Sequence, residues 1–123
     1  MPSPNRTRRL GERIRQELAE LLARQVSDPR LEGVTVTEVE VDREFAYATV
    51  FVNALGDEDR QQEILEGLTS ARGFLRSSLA QRIPLRTFPR LRFRWDESFD
   101  RAAAIEALLR KVREEDGRGA GEA

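Results

Sequence analysis

Apolar residues recur at helical spacing over the first part of the chain. Leu10, Ile14, Leu18, Leu21, Leu22 and Val26 fall on one stripe, as in a helix with one buried face. Ser3-Pro4 opens this helix with a capping hydroxyl and a proline at the first helical position. Asp28-Pro29 closes it, because the residue before proline is driven out of the α region. Val34 to Val41 is rich in β-branched residues and reads as a strand. Its valines change parity between Val36 and Val39, so a bulge at Thr37 or Glu38 is expected, keeping all four on one face. Asp42-Arg43-Glu44 makes a tight connection to a second, antiparallel strand over Phe45 to Val52. The parity of that strand is open: Ala46, Ala48, Val50 and Val52 share one face, and Phe45, Tyr47, Thr49 and Phe51 the other.

Asn53 to Gly56 reads as a loop, and Asp57, Glu58 and Asp59 suit the positive end of the helix that follows. Ile64, Leu65, Leu68 and Ala71 are its apolar stripe. Ala71-Arg72-Gly73 is expected to interrupt it, since glycine in a helix interior costs about 1 kcal/mol relative to alanine. Phe74, Leu75, Leu79 and Ile83 then continue as a second helix on a new axis, with Pro84 and Pro89 after it. Arg90 to Trp95 alternates strictly between arginine and apolar residues, the period of a half-buried strand. Leu91, Phe93 and Trp95 are expected to enter the core, with Arg90, Arg92 and Arg94 pointing away. From Asp100 a further short helix would carry Ile105, Leu108, Leu109 and Val112 on one side, and 114–123 would be disordered. The order predicts an α+β domain of two layers over 1–97, helices covering one face of a three-stranded sheet, followed by a tail over 98–123.

Charge changes this picture. The net charge of the 123 residues is −1, yet the charges are segregated. From Arg72 to Trp95 there are seven arginines (Arg72, Arg76, Arg82, Arg86, Arg90, Arg92 and Arg94) and no carboxylate. Arg6, Arg8, Arg9, Arg13 and Arg15 stand against Glu12 alone near the N-terminus. Such patches are the electrostatic footprint of a polyanion-binding surface. With no histidine and no cysteine, the commonest general base, metal ligand and nucleophile are lacking, and no phosphate-binding glycine loop is present. An enzyme is therefore not expected, nor any cofactor. Asp96, Glu97 and Asp100 are the one acid cluster beside the basic stretch. They would either hold Mg²⁺ or, the favoured reading, mark a helix start. Nothing reads as a membrane span or a secretion signal, which points to a cytoplasmic protein.

Several stretches together carry a family resemblance. They are Asp28-Pro29-Arg30-Leu31, Val34-Thr35-Val36 leading to a strand with Ala48 and Val50, Gly56-Asp57, Ala71-Arg72-Gly73, and Leu85-Arg86 through Pro89, Leu91 and Phe93 to Asp96. In order and spacing they resemble the bacterial ribosome-binding factor A family, whose fold is a type II KH-like domain. The resemblance spans roughly Thr7 to Asp96. It implies a helix–kink–helix at Ala71 and Gly73 in place of the G-x-x-G loop with which an ordinary KH domain clamps RNA. It further implies a non-catalytic, monomeric maturation factor for the small (30S) ribosomal subunit, acting late in 16S rRNA processing. Such a factor would contact the 5′ region of that RNA, matter for growth in the cold, and depart with the help of a GTPase.

The RNA-binding residues are then expected to be Arg72, Arg76, Arg82, Arg86, Arg90, Arg92 and Arg94, with Arg6, Arg8 and Arg9 as a second patch. Phe45, Tyr47 and Phe51 would either stack bases or lie under the tail helix. Two other readings stand beside this one. The chain would instead be a general KH-like module for single-stranded RNA, or a protein adaptor working through its tail helix.

Overall fold

A computed structural model describes residues 4–54 and 60–121. The elements run α1 (Pro4–Arg24), a single 3₁₀ turn (Pro29–Leu31), β1 (Val34–Val41), β2 (Tyr47–Ala54), α2 (Arg60–Arg82), β3 (Arg90–Trp95) and α3 (Glu97–Gly121). The strands lie in the order β1-β2-β3. β1 and β2 are antiparallel, and β3 runs parallel to β2, with α2 in the crossover that a parallel pair requires. The expected bulge is present: the register slips between Val36 and Glu38. Val36, Val39, Ala48, Val50, Val52 and Leu91 are all buried on one side of the sheet, beneath Ile14, Leu18 and Leu21 of α1 and Ile64, Leu68, Leu75 and Leu79 of α2. This is the α+β, KH-like arrangement of two layers.

β2 turns its valine-bearing set to the core. Ala48, Val50 and Val52 are inward, while Tyr47, Thr49 and Phe51 are half-buried on the open face. Phe45 does not belong to the strand. It sits at φ 56°, in the turn that Asp42 closes by accepting from the Ala46 and Tyr47 amides. Asn53 and Ala54, expected in a loop, finish β2. Val26 lies beyond the last residue of α1 but still packs against the core. Asp28 caps the 3₁₀ turn, accepting from the Arg30 amide at 3.0 Å and from its guanidinium at 2.7 Å, and so anchors buried Leu31. The expectations for Ser3 and for Leu55 to Asp59 lie outside the described residues.

The predicted break at Ala71-Gly73 is instead a single helix from Arg60 to Arg82. The reason is phase. At about 100° per residue, Ile64, Leu68, Leu75 and Leu79 all fall within about 60° of arc on one unbroken helix. All four are fully buried, and their burial outweighs one glycine's propensity of about 1 kcal/mol. Phe74, which continues the apolar series with Leu75, Leu79 and Ile83 in the sequence, is 49% exposed.

Two glycines do have packing reasons. A Cβ on Gly11 would lie 2.4 Å from the Val39 carbonyl oxygen, so α1 rests directly on β1. A Cβ on Gly67 would lie 3.0 Å from Leu31.

α3 differs most from expectation. It starts at Glu97 and remains helical to Gly121, through a stretch expected to be disordered. Asp96 caps it, accepting from the Phe99 amide at 3.0 Å and the Ser98 hydroxyl at 2.6 Å. The Asp96 carboxylate also accepts from the hydroxyl of Thr37, the bulge residue. Asp100 takes one bond from buried Asn53 (2.8 Å) and another from the Trp95 indole (2.7 Å). The first turn of α3 is thus tied to all three strands. Ile105, Leu108, Leu109 and Val112 are all exposed, so they do not cover Tyr47 and Phe51.

Candidate nucleic-acid interface

The arginines reach their positions by two routes. β3 is an edge strand, and its alternation sends Arg90, Arg92 and Arg94 to the open face while Leu91 is buried. On α2, Arg72 and Arg76 are one turn apart on the flank nearest β3. Together Arg72, Arg76, Arg90 and Arg92 line a groove of about 650 Å³, with Tyr47, Gly73 and Leu91 as the rest of its wall. Among the described residues no carboxylate lines it. Sequence-distant arginines from the helix and the strand are brought to one site.

Two of the four are held in place. Arg76 donates to the carbonyls of Phe88 (2.6 Å) and Pro89 (3.2 Å), which ties the proline-bearing loop to α2 while keeping the guanidinium charge at the groove. Arg92 lies over the Tyr47 ring, 3.4 Å from its centroid, a cation–π contact. A hydrogen bond with Arg92, then the positive charges of Arg92 and Arg90, hold the Tyr47 phenol below its ordinary pKa. Tyr47 therefore shapes and reports the cationic field, and Arg92 occupies one face of a ring otherwise suited to base stacking.

The open sheet face is graded. In register across it stand Glu38–Phe51–Arg94 and Glu40–Thr49–Arg92. Acid therefore lines the β1 edge, aromatic and hydroxyl groups the middle, and arginine the β3 edge. The strand residues of this face thus carry opposite charge at its two edges. The glutamates were missed as part of this face. Their signal was in the sequence, since the bulge at Thr37 fixes the side on which Glu38 and Glu40 emerge.

Other expected contact residues lie elsewhere. Arg82 is turned toward α1, 3.0 Å from Glu17 and 3.8 Å from Glu20. Its bond to Glu17 holds that carboxyl below the usual range, so Arg82 clamps two helices and is not a groove residue. Arg86 is exposed in the loop before β3. Arg6, Arg8 and Arg9 are exposed on the first turns of α1. Arg8 shares a shallow groove with Glu12, Arg15, Glu38 and Glu40 at the β1 edge, across the sheet from the arginine groove. Ala71 is half-buried against the core, whereas Gly73 is exposed, and among the described residues nothing beyond its own helix turn lies within 4 Å of where a Cβ would sit. The acid cluster serves a helix start: Asp96 and Asp100 accept the hydrogen bonds described above, and Glu97 lies in the first turn.

Comparison with known proteins agrees with this architecture. A ribosome-binding factor A from Halothermothrix orenii is 40% identical over 111 residues, covering 90% of this chain and 91% of that protein. The crystal structure of ribosome-binding factor A from Thermus thermophilus superposes with a TM-score of 0.66 at 30% identity, covering 72% of this chain and 93% of that one. A homology model of the Thermus thermophilus factor, fitted into a cryo-electron-microscopy map of its 30S complex, matches with a TM-score of 0.60, again at 30% identity, over 71% and 91% of the two chains. The family model described as ribosome-binding factor A matches residues 6–109. On the sequence match, the fold and the ordered motifs, this chain belongs to the ribosome-binding factor A family.

Proposed function

We propose that this chain binds the small ribosomal subunit by seating the arginine groove between α2 and β3 on folded 16S rRNA. The observation that carries the proposal is the groove itself: four arginines from two elements, no carboxylate among the described residues that line it, and glutamates on the far edge of the same sheet. The 30S complex of the Thermus thermophilus relative supports the choice of partner. Guanidinium groups suit this work because their planar forks pair with phosphate oxygens and stack on bases. The factor acts by binding rather than catalysis, as a monomer in the cytoplasm. It assists late 16S rRNA maturation near the 5′ region, matters most at low temperature, and leaves with the help of an assembly GTPase.

The test is co-sedimentation with isolated small and large subunits across a salt series. If Arg72, Arg76, Arg90, Arg92 and Arg94 neutralise about five phosphates, log K falls against log salt with a slope of roughly −3.5 to −4.5. Replacing Arg90, Arg92 and Arg94 by alanine lowers both affinity and slope. Equal retention on both subunits, or a flat salt response, refutes the proposal.

A further inference from the structure

Gly73 sits at the middle of α2 without a structural reason. Its φ is not positive, and none of the described residues approaches the space a side chain would fill. It nonetheless forgoes the helix propensity of alanine. Taking Gly73 as the crest of the helix, Arg72 and Arg76 turn one way, into the arginine groove. Ser70 and Phe74 turn the other way. There they line a second depression of about 370 Å³ with Ala71 and with Gln25, Val26, Ser27 and Asp28 from the end of α1. Phe74 is 49% exposed, and the other large exposed apolar side chains among the described residues all lie on α3. A bare glycine thus separates a cationic groove from an aromatic shelf.

We infer that this shelf is a binding site for an unpaired nucleobase. On this reading, which rests on the RNA-binding function proposed above, a strand crosses α2 over Gly73. Its phosphates lie against Arg72 and Arg76, and one base stacks on the Phe74 ring. The missing Cβ lets the sugar-phosphate chain pass close to the helix backbone. Phenylalanine offers a π face and no hydrogen bond, so the shelf accepts any base that is free to leave its stack. A paired base presents no free face, and a continuous duplex is therefore excluded. The site selects a bulged or single-stranded nucleotide within the folded RNA, which phosphate contacts alone cannot do.

The experiment uses the full chain and two probes. One is the isolated small subunit. The other is a short single-stranded RNA carrying 2-aminopurine, whose fluorescence is quenched on stacking, with the same RNA annealed to its complement as control. Wild type is expected to quench the single strand and not the duplex. Phe74→Leu, which keeps an apolar side chain but removes the ring, loses the quenching. It binds subunits on the order of ten-fold more weakly with an unchanged salt slope. Gly73→Val blocks the crossing and does the same without lowering the melting temperature. If Phe74→Leu binds subunits like wild type while Arg90→Ala/Arg92→Ala does not, the base site is overturned and the groove stands. If Phe74→Leu weakens subunit binding but wild type never quenches the probe, the shelf holds an apolar protein side chain and the nucleobase assignment is overturned. If neither variant changes subunit binding, both readings fall.

Discussion

The same substitution, glycine to alanine, has opposite expected signs at two places in this fold. At Gly11 the new Cβ starts 2.4 Å from the Val39 carbonyl oxygen, a backbone atom with no rotamer to change. Reaching even 3.0 Å, the edge of observed contacts, moves α1 from β1 by at least about 0.6 Å. A gap of that size forfeits roughly a quarter of the dispersion well on each contact it opens. Taking about fifteen sheet-side contacts for each of Leu10, Ile14 and Leu18 at roughly 0.15 kcal/mol, the loss is about 1.5 kcal/mol. Residual overlap adds about 1 kcal/mol, and the gain in helix propensity returns about 1 kcal/mol, leaving a net destabilisation of roughly 1.5 kcal/mol. At Gly73 only the propensity gain of about 1 kcal/mol remains, because the Cβ enters open space. Gly67, whose Cβ would meet flexible Leu31 at 3.0 Å, falls between them. For 123 residues, an unfolding entropy of about 2.1 cal/mol/K per residue converts 1 kcal/mol into about 4 °C. Thermal unfolding followed by circular dichroism should place Gly11→Ala about 6 °C below wild type and Gly73→Ala about 4 °C above it. A Gly11→Ala midpoint at or above wild type refutes the direct seating of α1 on β1. A lowered Gly73→Ala midpoint refutes the open crest of α2.

Two further expectations use the protein's own probes. Hydrogen bonds from Ser98 and Thr37, with amide donors from the first turn, hold the Asp96 carboxyl below the usual range. Its folded pKa is thus below its unfolded one. Its contribution is complete above about pH 3.9 and is lost as pH falls through the lower folded value. Far-UV circular dichroism should show α3 loosening only on acidification below about pH 4, and Asp96→Ala should lose helicity already at pH 7, since a lost cap costs about 1 kcal/mol. An unchanged acid profile in Asp96→Ala would falsify the assignment. Tyr47 is the sole tyrosine, so the phenolate absorbance titrates one group. Its midpoint should lie below about 10 and rise in Arg92→Ala, because Arg92 is the largest cause of the shift; an unmoved midpoint removes Arg92 from the ring.

How much was legible in the chain depended on whether a residue's fate was decided locally. Arg90 to Trp95 could be read outright, because its two parities differ in charge and no third arrangement satisfies both. The bulge at Thr37 was forced by the parity of four valines. Ala46 and Ala48 gave no such leverage, since small residues suit either face. The break expected at Gly73 failed because propensity is a local preference of about 1 kcal/mol, whereas the phase of Ile64, Leu68, Leu75 and Leu79 spans the whole helix. The site followed the same division. A basic stretch was visible, but long-range pairing sorts its members: Glu17 withdraws Arg82 from 65 residues away, while the Phe88 and Pro89 carbonyls fix Arg76 at the groove. The exposure of Phe74 is set by which elements pack beside it, which no sequence pattern records.

The parallel pairing of β3 with β2 has a consequence for the order of events during synthesis. β1 and β2 are neighbours in sequence and form a local hairpin, whereas β3 closes only after the intervening crossover is made, a non-local step that is slow to form. The strand wall of the arginine groove depends on that step. A nascent chain that has emerged only as far as the end of α2 presents Arg72 and Arg76 without their strand partners. The acid edge of the hairpin, with Glu38 and Glu40, is already formed. The groove with its four arginines is thus complete only once the last strand is in place.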